Sequence, residues 1–263
     1  MKFATILVEK EPGIAAITLN RPQRLNILDD QMITEIIKAV HGLEGDDSIG
    51  VVIITGAGER AFSAGVDIKL MREFDVPRAR EFIQQVHEMC KSVRQLSKIA
   101  IAAINGVCFG ASFELALSCD IRIASENAQL GLPEIKVGIP SVIESVLLTR
   151  MIGIGKTKEL VLTGDSIDAH EAQRLGLVNK VVPLVQLSSA VREMATKILS
   201  YSPAAVRVQK DITNKWLTLD LEAAIDYSIN ALSLCFAIGD PREAMNAFLE
   251  KREPSFKRSS SSP

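Results

Sequence analysis

Two glutamates stand where a carboxylate is costly. Glu114 lies in the apolar run Gly106-Val-Cys-Phe-Gly-Ala-Ser-Phe-Glu114-Leu-Ala-Leu-Ser-Cys119. Glu134 lies in Leu130-Gly-Leu-Pro-Glu134-Ile-Lys-Val-Gly138. Burial among Phe, Leu and Ala disfavours the charged form and raises a carboxyl pKa. A carboxyl that titrates near neutrality suits a general acid or base. Two of them, each behind a small-residue turn, suggest a dry site that moves protons on an uncharged reacting group.

The chain around them has 263 residues, 47% apolar and 24% charged, enough for a sizeable core and too apolar for disorder. A formal net charge of -2, with no basic stripe interleaved with aromatics, argues against a general nucleic-acid binder. The four cysteines, at 90, 108, 119 and 235, form no Cys-x-x-Cys pair and have no histidine at metal-ligand spacing. They fit a reducing, cytoplasmic setting with no metal. His41, His87 and His170 read as surface or partly buried side chains. No signal peptide is expected, because charges interrupt the apolar stretch after Met1 early. The stretch 99–119 is almost long enough to span a bilayer, but Asn105-Gly106 breaks it and Glu114 charges it.

The elements that must position the glutamates follow from periodicity. Residues 5–9 and 14–19 flank Pro12-Gly13 as a hairpin. Asp29 or Asp30 caps a helix to about Leu43. Val51-Val-Ile-Ile-Thr55 reads as a buried strand ended by Gly56-Ala-Gly58. Further strands are expected at 99–104, 121–124 and 178–182, and helices at 78–96 and 142–152. Asp168-Ala-His-Glu171 has capping-box spacing, and Asp240-Pro-Arg-Glu243 combines an N-cap, a proline at the first helical position and a glutamate at the third. Strand and helix alternate to about Leu187, which argues for an α/β class. Beyond it the pattern is helical, with a disordered tail from about Ser259.

Several segments occur in an order that resembles the crotonase, or enoyl-CoA hydratase/isomerase, superfamily. They are Leu19-Asn-Arg-Pro-Gln-Arg-Leu-Asn26, Ser63-Ala-Gly-Val-Asp-Ile-Lys69, Ala102-Ala-Ile-Asn-Gly106, Phe113-Glu-Leu-Ala116 with Cys119-Asp120, and Pro133-Glu-Ile135. Leu162-Thr-Gly-Asp165 with Ala169, Gly176-Leu-Val-Asn179 and Ala247-Phe-Leu-Glu-Lys-Arg252 continue the order, so the resemblance covers nearly the whole chain. It implies an α/β spiral of repeated ββα units over 1–195, and a helical oligomerisation region over 196–263. It also implies homotrimers or paired trimers, an acyl-CoA thioester substrate, and no cofactor beyond the coenzyme A that the substrate carries.

By the same resemblance, Glu134 protonates carbon α of the thioester, and Glu114 activates the water that adds at carbon β. The backbone N–H groups of Val66 and Ala111 form the oxyanion hole. Such a donor stabilises an enolate oxygen by roughly 3–4 kcal/mol in analogous sites. Arg24, Ala64, Asp67, Ile68, Lys69, Ser112 and Ser141 fall at substrate- and CoA-contacting positions. Plainer readings stand beside these. Glu114 could be a structural carboxylate paired with Arg or Lys, Glu134 a surface residue, Val66 core filling, and Arg24 and Lys69 solvated charges.

The chain departs from many relatives at Gly110-Ala-Ser112 and in Ile139-Pro-Ser-Val-Ile-Glu144, where small glycines are usual. Ala111, Ser112, Ser141 and Glu144 are expected to crowd the acyl pocket and favour short or polar acyl groups, although Glu144 reads rather as facing solvent on a helix after Pro140. The expected activity is hydration of a short or functionalised 2-enoyl-CoA. Isomerisation, dehydration, thioester hydrolysis and dehalogenation are alternatives on the same scaffold, and a scaffold or RNA-binding relative is the alternative outside catalysis.

Overall fold

A computed structural model describes residues 2–256. The strands are β1 (Ile6–Glu11), β2 (Gly13–Leu19), β3 (Ile49–Gly56), β4 (Ala61–Ser63), β5 (Ile99–Ile104), β6 (Val107–Phe109), β7 (Ile121–Ser125), β8 (Gln129–Gly131), β9 (Ser166–Asp168) and β10 (Lys180–Val182). The helices are α1 (Asp30–Glu44), α2 (Ile68–Met71), α3 (Val76–Gln95), α4 (Ala111–Leu117), α5 (Leu147–Met151), α6 (Gly153–Thr163), α7 (Ala169–Arg174), α8 (Leu187–Leu199), α9 (Pro203–Trp216), α10 (Leu221–Cys235) and α11 (Asp240–Glu250). The expected disordered tail lies outside the described residues.

Long strands form one sheet in the order β1-β2-β3-β5-β7-β10, and short strands form a second in the order β4-β6-β8-β9. The chain steps from one sheet to the other: β3 leads to β4, β5 to β6, and β7 to β8. A helical segment follows each step. This is the expected spiral of ββα units. All pairs in the long sheet are parallel except the β1–β2 hairpin.

Strands β3 and β5 read as continuous apolar runs because both their faces are covered. Val52, Ile54, Ala100, Ala102 and Ile104 face the main core with α1, α3 and α4. Val51, Ile53, Ile99, Ile101 and Ala103 alternate with them and pack under α8, on Leu187, Ala190, Val191 and Ala195. The strand period of two divides one sequence run between two cores.

Several motif residues do structural work. Asn26 is buried in a left-handed turn (φ 53°). Its Nδ2 donates to Ala57 O and Ala61 O at 3.0 and 2.9 Å, and its Oδ1 accepts from Arg21 N at 2.9 Å. Asn105 Nδ2 donates to Gly56 O and Gly58 O. Asp120 accepts from Ala100 N and from Lys210 Nζ, both at 2.7 Å, and so fixes α9 to the sheet. Asn179 Oδ1 accepts from Arg122 N at 2.8 Å.

Three expectations need correction. The helix expected over 142–152 is instead a tight 3-10 turn (Ile143–Val146) followed by α5, because Ile143 adopts φ 44° and breaks the helical path. Helix α6 and the short-strand sheet were not foreseen: glycines dilute the first and three-residue strands carry too little pattern for the second. Asp168 accepts from Glu171 N as expected, but the Glu171 side chain pairs with Arg174 rather than reaching back. Asp240 caps nothing; it accepts from Ser202 Oγ at 2.5 Å, while Glu243 pairs with Arg252.

Asn26→Ala would strip partners from two carbonyls and one N–H and place a residue less tolerant of the left-handed region there. Each buried group left unpaired costs about 1–3 kcal/mol. Urea unfolding at fixed protein concentration is expected to show a loss of at least about 2 kcal/mol. A loss below about 0.5 kcal/mol would mean that the neighbouring carbonyls find other donors.

Candidate active site

Glu114 sits on α4, which the chain enters through Gly110 at φ 57° and ψ -132°, a conformation closed to other residues. The side chain is 4% exposed. Among the described residues no Arg or Lys lies within ion-pair distance of it, so the cation-paired alternative falls away. Its Oε1 instead accepts from Ser145 N at 3.0 Å and from Ser145 Oγ at 2.7 Å. Burial pushes its pKa up to about 8, with the charges of Glu134 and Glu144 adding to the rise and the Ser145 bonds opposing it.

Glu134 lies in the 3-10 turn Pro133–Val137 and is half-buried rather than a surface group. Its carboxylate comes to rest against Gly110: a Cβ there would meet Glu134 Oε1 at 2.6 Å. Burial raises its pKa as well, against the bond that Oε2 accepts from Ser141 Oγ at 2.9 Å. The charge of Glu134 adds to the rise at Glu114, so the two carboxyls lie in one electrostatic environment. Ser141, expected beside the substrate, touches one of the two candidate proton carriers directly.

The loop between β4 and α2 approaches the same turn. A Cβ on Gly65 (φ 90°) would meet Phe109 O at 2.8 Å, so only glycine allows this contact. Leu28 pairs with the flanks of Val66, donating to Gly65 O at 2.8 Å and accepting from Asp67 N at 2.9 Å. Val66 N–H therefore points away from Leu28. Among the described residues neither Val66 N–H nor Ala111 N–H has an acceptor within the protein. Two free donors thus border Gly110 and the Glu134 carboxylate.

Other candidates fall outside this arrangement. Ser112 was expected to contact substrate. It is fully buried, with Oγ 2.6 Å from Ser63 O and 2.7 Å from Phe109 O. Its single proton serves these carbonyls and ties the start of α4 to β4. Asp67, expected at the CoA site, caps α2 through Lys69 N at 3.0 Å and binds Arg24 Nη2 at 2.7 Å. Its oxygens serve the loop. Ala64 N–H donates to Leu25 O at 3.0 Å, which leaves its carbonyl to offer. Ile68 and Lys69 are exposed, and Lys69 has no ion pair among the described residues.

Glu144 does not face solvent. It is 1% exposed, and its Oε1 lies 2.8 Å from Arg94 Nη1 and 3.0 Å from His87 Nδ1. The crowding expected of Ser112 and Glu144 is thus absent, since each turns into the protein. Ser145 is the residue that sequence reasoning missed. No motif marks it; its role appears only once the turn folds it onto Glu114. That turn is strained: a β-branched residue at positive φ, as Ile143 is, costs about 1–3 kcal/mol.

These features define an α/β scaffold that brings two carboxyls of raised pKa and two unpaired main-chain donors to one place. A sequence profile of the enoyl-CoA hydratase/isomerase family matches residues 9–259, and the chain belongs to that family. It is 39% identical over 254 residues to the short-chain-enoyl-CoA hydratase of Clostridium acetobutylicum, covering 96% of this chain and 97% of that one. It is 40% identical over 257 residues to the crotonyl-CoA hydratase of Syntrophomonas wolfei, covering 97% and 99%. The crystal structure of an enoyl-CoA hydratase from Bacillus anthracis superposes with a TM-score of 0.94 at 36% identity, over 97% of this chain and 100% of that one. The crotonase fold expected from the sequence is therefore the fold of this chain.

The raised pKa of Glu114 has a stability consequence. A carboxyl whose folded pKa lies above its unfolded value of 4.5 binds its proton more tightly when folded. Its contribution is therefore intact below about 4.5 and is lost as pH rises toward about 8. Glutamine keeps the acceptor for Ser145 and never ionises. Glu114→Gln should melt within about 1 °C of wild type at pH 5 and at least about 2 °C higher at pH 9. Equal melting temperatures at both pH values would mean that the carboxyl ionises freely in the fold.

Proposed function

We infer that the protein hydrates the 2,3-double bond of a short-chain enoyl-CoA thioester. The observation that carries this reading is the pair of partly dehydrated carboxyls, Glu114 and Glu134, beside two free N–H groups. Names of full-length relatives at about 40% identity, short-chain and crotonyl-CoA hydratases, point the same way.

In this reading the thioester oxygen accepts from Val66 N–H and Ala111 N–H. Glu114, ionised, takes a proton from water as its oxygen bonds carbon β. Electrons from the double bond move onto the thioester oxygen, and Glu134 delivers its proton to carbon α. The water is consumed, and one proton has passed from Glu134 to Glu114. A return of that proton restores the resting pair. Glu114 holds its proton strongly in the free protein, so the acid form must transfer to Glu134 before each turnover. A water between the carboxylates is a sufficient path. The preorganised donors act where charge develops and supply roughly 3–4 kcal/mol each.

Coenzyme A would lie along the loop bearing Arg24, Ala64 and Lys69, with the Ala64 carbonyl as acceptor and Lys69 near the phosphates. It arrives with the substrate, and the reaction needs no other cofactor. Residues 1–195 hold this site, and 196–263 join subunits as a homotrimer or a pair of trimers. The support is apolar exposure on α10 and α11: Leu234 is 72% exposed, Phe248 83% and Leu249 77%. A groove of about 630 Å³ lined by Trp216, Leu219, Ile225 and Ile229 adds to this face. Among the described residues no single helix is long and apolar enough to cross a membrane. A cytoplasmic setting accords with the unpaired thiols.

Mass gain of water on C4, C8 and C16 enoyl-CoA is the decisive assay. We expect kcat/KM to be highest for C4. Glu134→Gln and Glu114→Gln should each lower kcat at least about 100-fold while ester binding stays within about threefold. A variant with near-wild-type turnover would remove that residue from the chemistry, and migration of the double bond without water gain would make the protein an isomerase. Light scattering at micromolar concentration should give a multiple of three subunits, and a stable monomer would end the assembly reading.

A further inference from the structure

We propose that Glu144, clamped by Arg94 and His87 of α3, is a positioning residue that holds Ser145 on the Glu114 carboxylate. The proposal rests on the reading of Glu114 as a proton carrier.

The turn Ile143–Val146 is an unlikely place for order to arise on its own. It has no side-chain cap, and Ile143, a β-branched residue, sits at φ 44°. Such a conformation persists only when its surroundings over-determine it. Yet this turn carries both donors to Glu114, Ser145 N at 3.0 Å and Ser145 Oγ at 2.7 Å.

The turn's own backbone contributes one bond, Ser145 N to Val142 O at 3.0 Å, which shares the N–H with Glu114; the side-chain restraint comes from the residue between Ile143 and Ser145. Glu144 is 1% exposed, the most costly setting for a carboxylate. Its Oε1 accepts from Arg94 Nη1 at 2.8 Å and lies 3.0 Å from His87 Nδ1, while Oε2 lies 3.2 Å from the same ring nitrogen. His87 and Arg94 stand two turns apart on one face of α3, roughly 10 Å along its axis. A carboxylate gripped from both directions cannot slide along α3. Helix α3 is in turn fixed in the main core by Phe82, Val86, Met89 and Val93. The path is therefore α3, Glu144, Ser145, Glu114.

An apolar residue at 144 could fill the same volume without desolvating a charge, and buried ion pairs are often replaceable without loss of stability. What an apolar residue lacks is direction. The clamp specifies one orientation of the turn, and with it the aim of the Ser145 N–H and hydroxyl.

The test is a double-mutant cycle on full-length protein, with crotonyl-CoA as substrate and melting temperature recorded for each variant. Glu144→Leu keeps apolar volume and removes the acceptor; Ser145→Ala removes the hydroxyl. We expect Glu144→Leu to lower kcat at least about tenfold with KM within about threefold, and the double variant to be within about twofold of Glu144→Leu alone. Glu144→Gln retains an acceptor for Arg94 and should recover most of the lost rate.

Multiplying losses, or a Glu144→Leu enzyme within about threefold of wild type, would overturn the proposal. If Glu144→Leu does not fold, Arg94→Leu breaks the 2.8 Å bond from the more exposed side and enters the same cycle under the same criteria. If the wild type turns over no enoyl-CoA, the hydratase reading fails and the clamp is judged by a crystal structure of the folded variant. Ser145 still bonded to Glu114 sinks the proposal; Ser145 turned away sustains it.

Discussion

Among the described residues Glu114 is buried with no cation beside it, and two donors from one serine are all that its charged form can call on. A carboxylate paired with Arg or Lys would have a depressed pKa and would stay ionised. One left wholly without donors would stay protonated far into the alkaline range. Ser145 sets a middle course, with the carboxyl titrating at about 8 and able to exist in either form. The features around it follow from that requirement. Water must be scarce, so α4 is buried on all sides. Donors must be few and fixed, so they come from a turn that is itself restrained.

Glycine supplies the second requirement, which is closeness. Glu134 Oε1 stands where a Cβ of residue 110 would be, and the Val66 loop stands where a Cβ of residue 65 would meet Phe109 O. Two side-chain-free positions thus let a carboxylate and a second main-chain segment reach the same turn. Ala111, one position on, stands where relatives often have glycine, and it leaves a main-chain N–H without an acceptor among the described residues. The methyl group does not block the donor. The sequence departure looked like a change in the pocket; the conformational demand falls on Gly110 alone.

The α/β alternation was legible because it rests on patterns that survive in one sequence, and the spiral only through the family that the ordered motifs resemble. Strands β3 and β5 announced themselves by length and β-branching, α1 by its Asp29 cap and apolar face, and the C-terminal helices by period. The two glutamates were legible because charge inside an apolar run is conspicuous. What escaped was set by tertiary contact. Strands β4, β6 and β8 have three residues each, and no period can be read in three. The turn at 143–146 looked helical by composition, and only the backbone reveals that Ile143 interrupts it. Ser112 was placed in the pocket by its sequence neighbours, and Glu144 was read as facing solvent from its place after Pro140. The direction of a side chain depends on what lies opposite, and Ser63 and Arg94 are remote in sequence.

Conserving direction at such cost requires a rigid reference, and the two-faced sheet provides it. Strands β3 and β5 pack into one core through alternate residues and into another through the rest, so neither can shift without disturbing both. The turns that carry Val66, Ala111, Glu134 and Ser145 all begin within a few residues of a strand or helix in that frame. Asp120 and Lys210 extend the frame to α9. Helices α10 and α11, which carry several of the exposed apolar side chains, lie beyond it, and others are scattered elsewhere, as at Val146 and Leu162. The division is physical: residues that must be aimed are tied to the doubly covered sheet, while residues free of that demand present the apolar surface that another chain can cover.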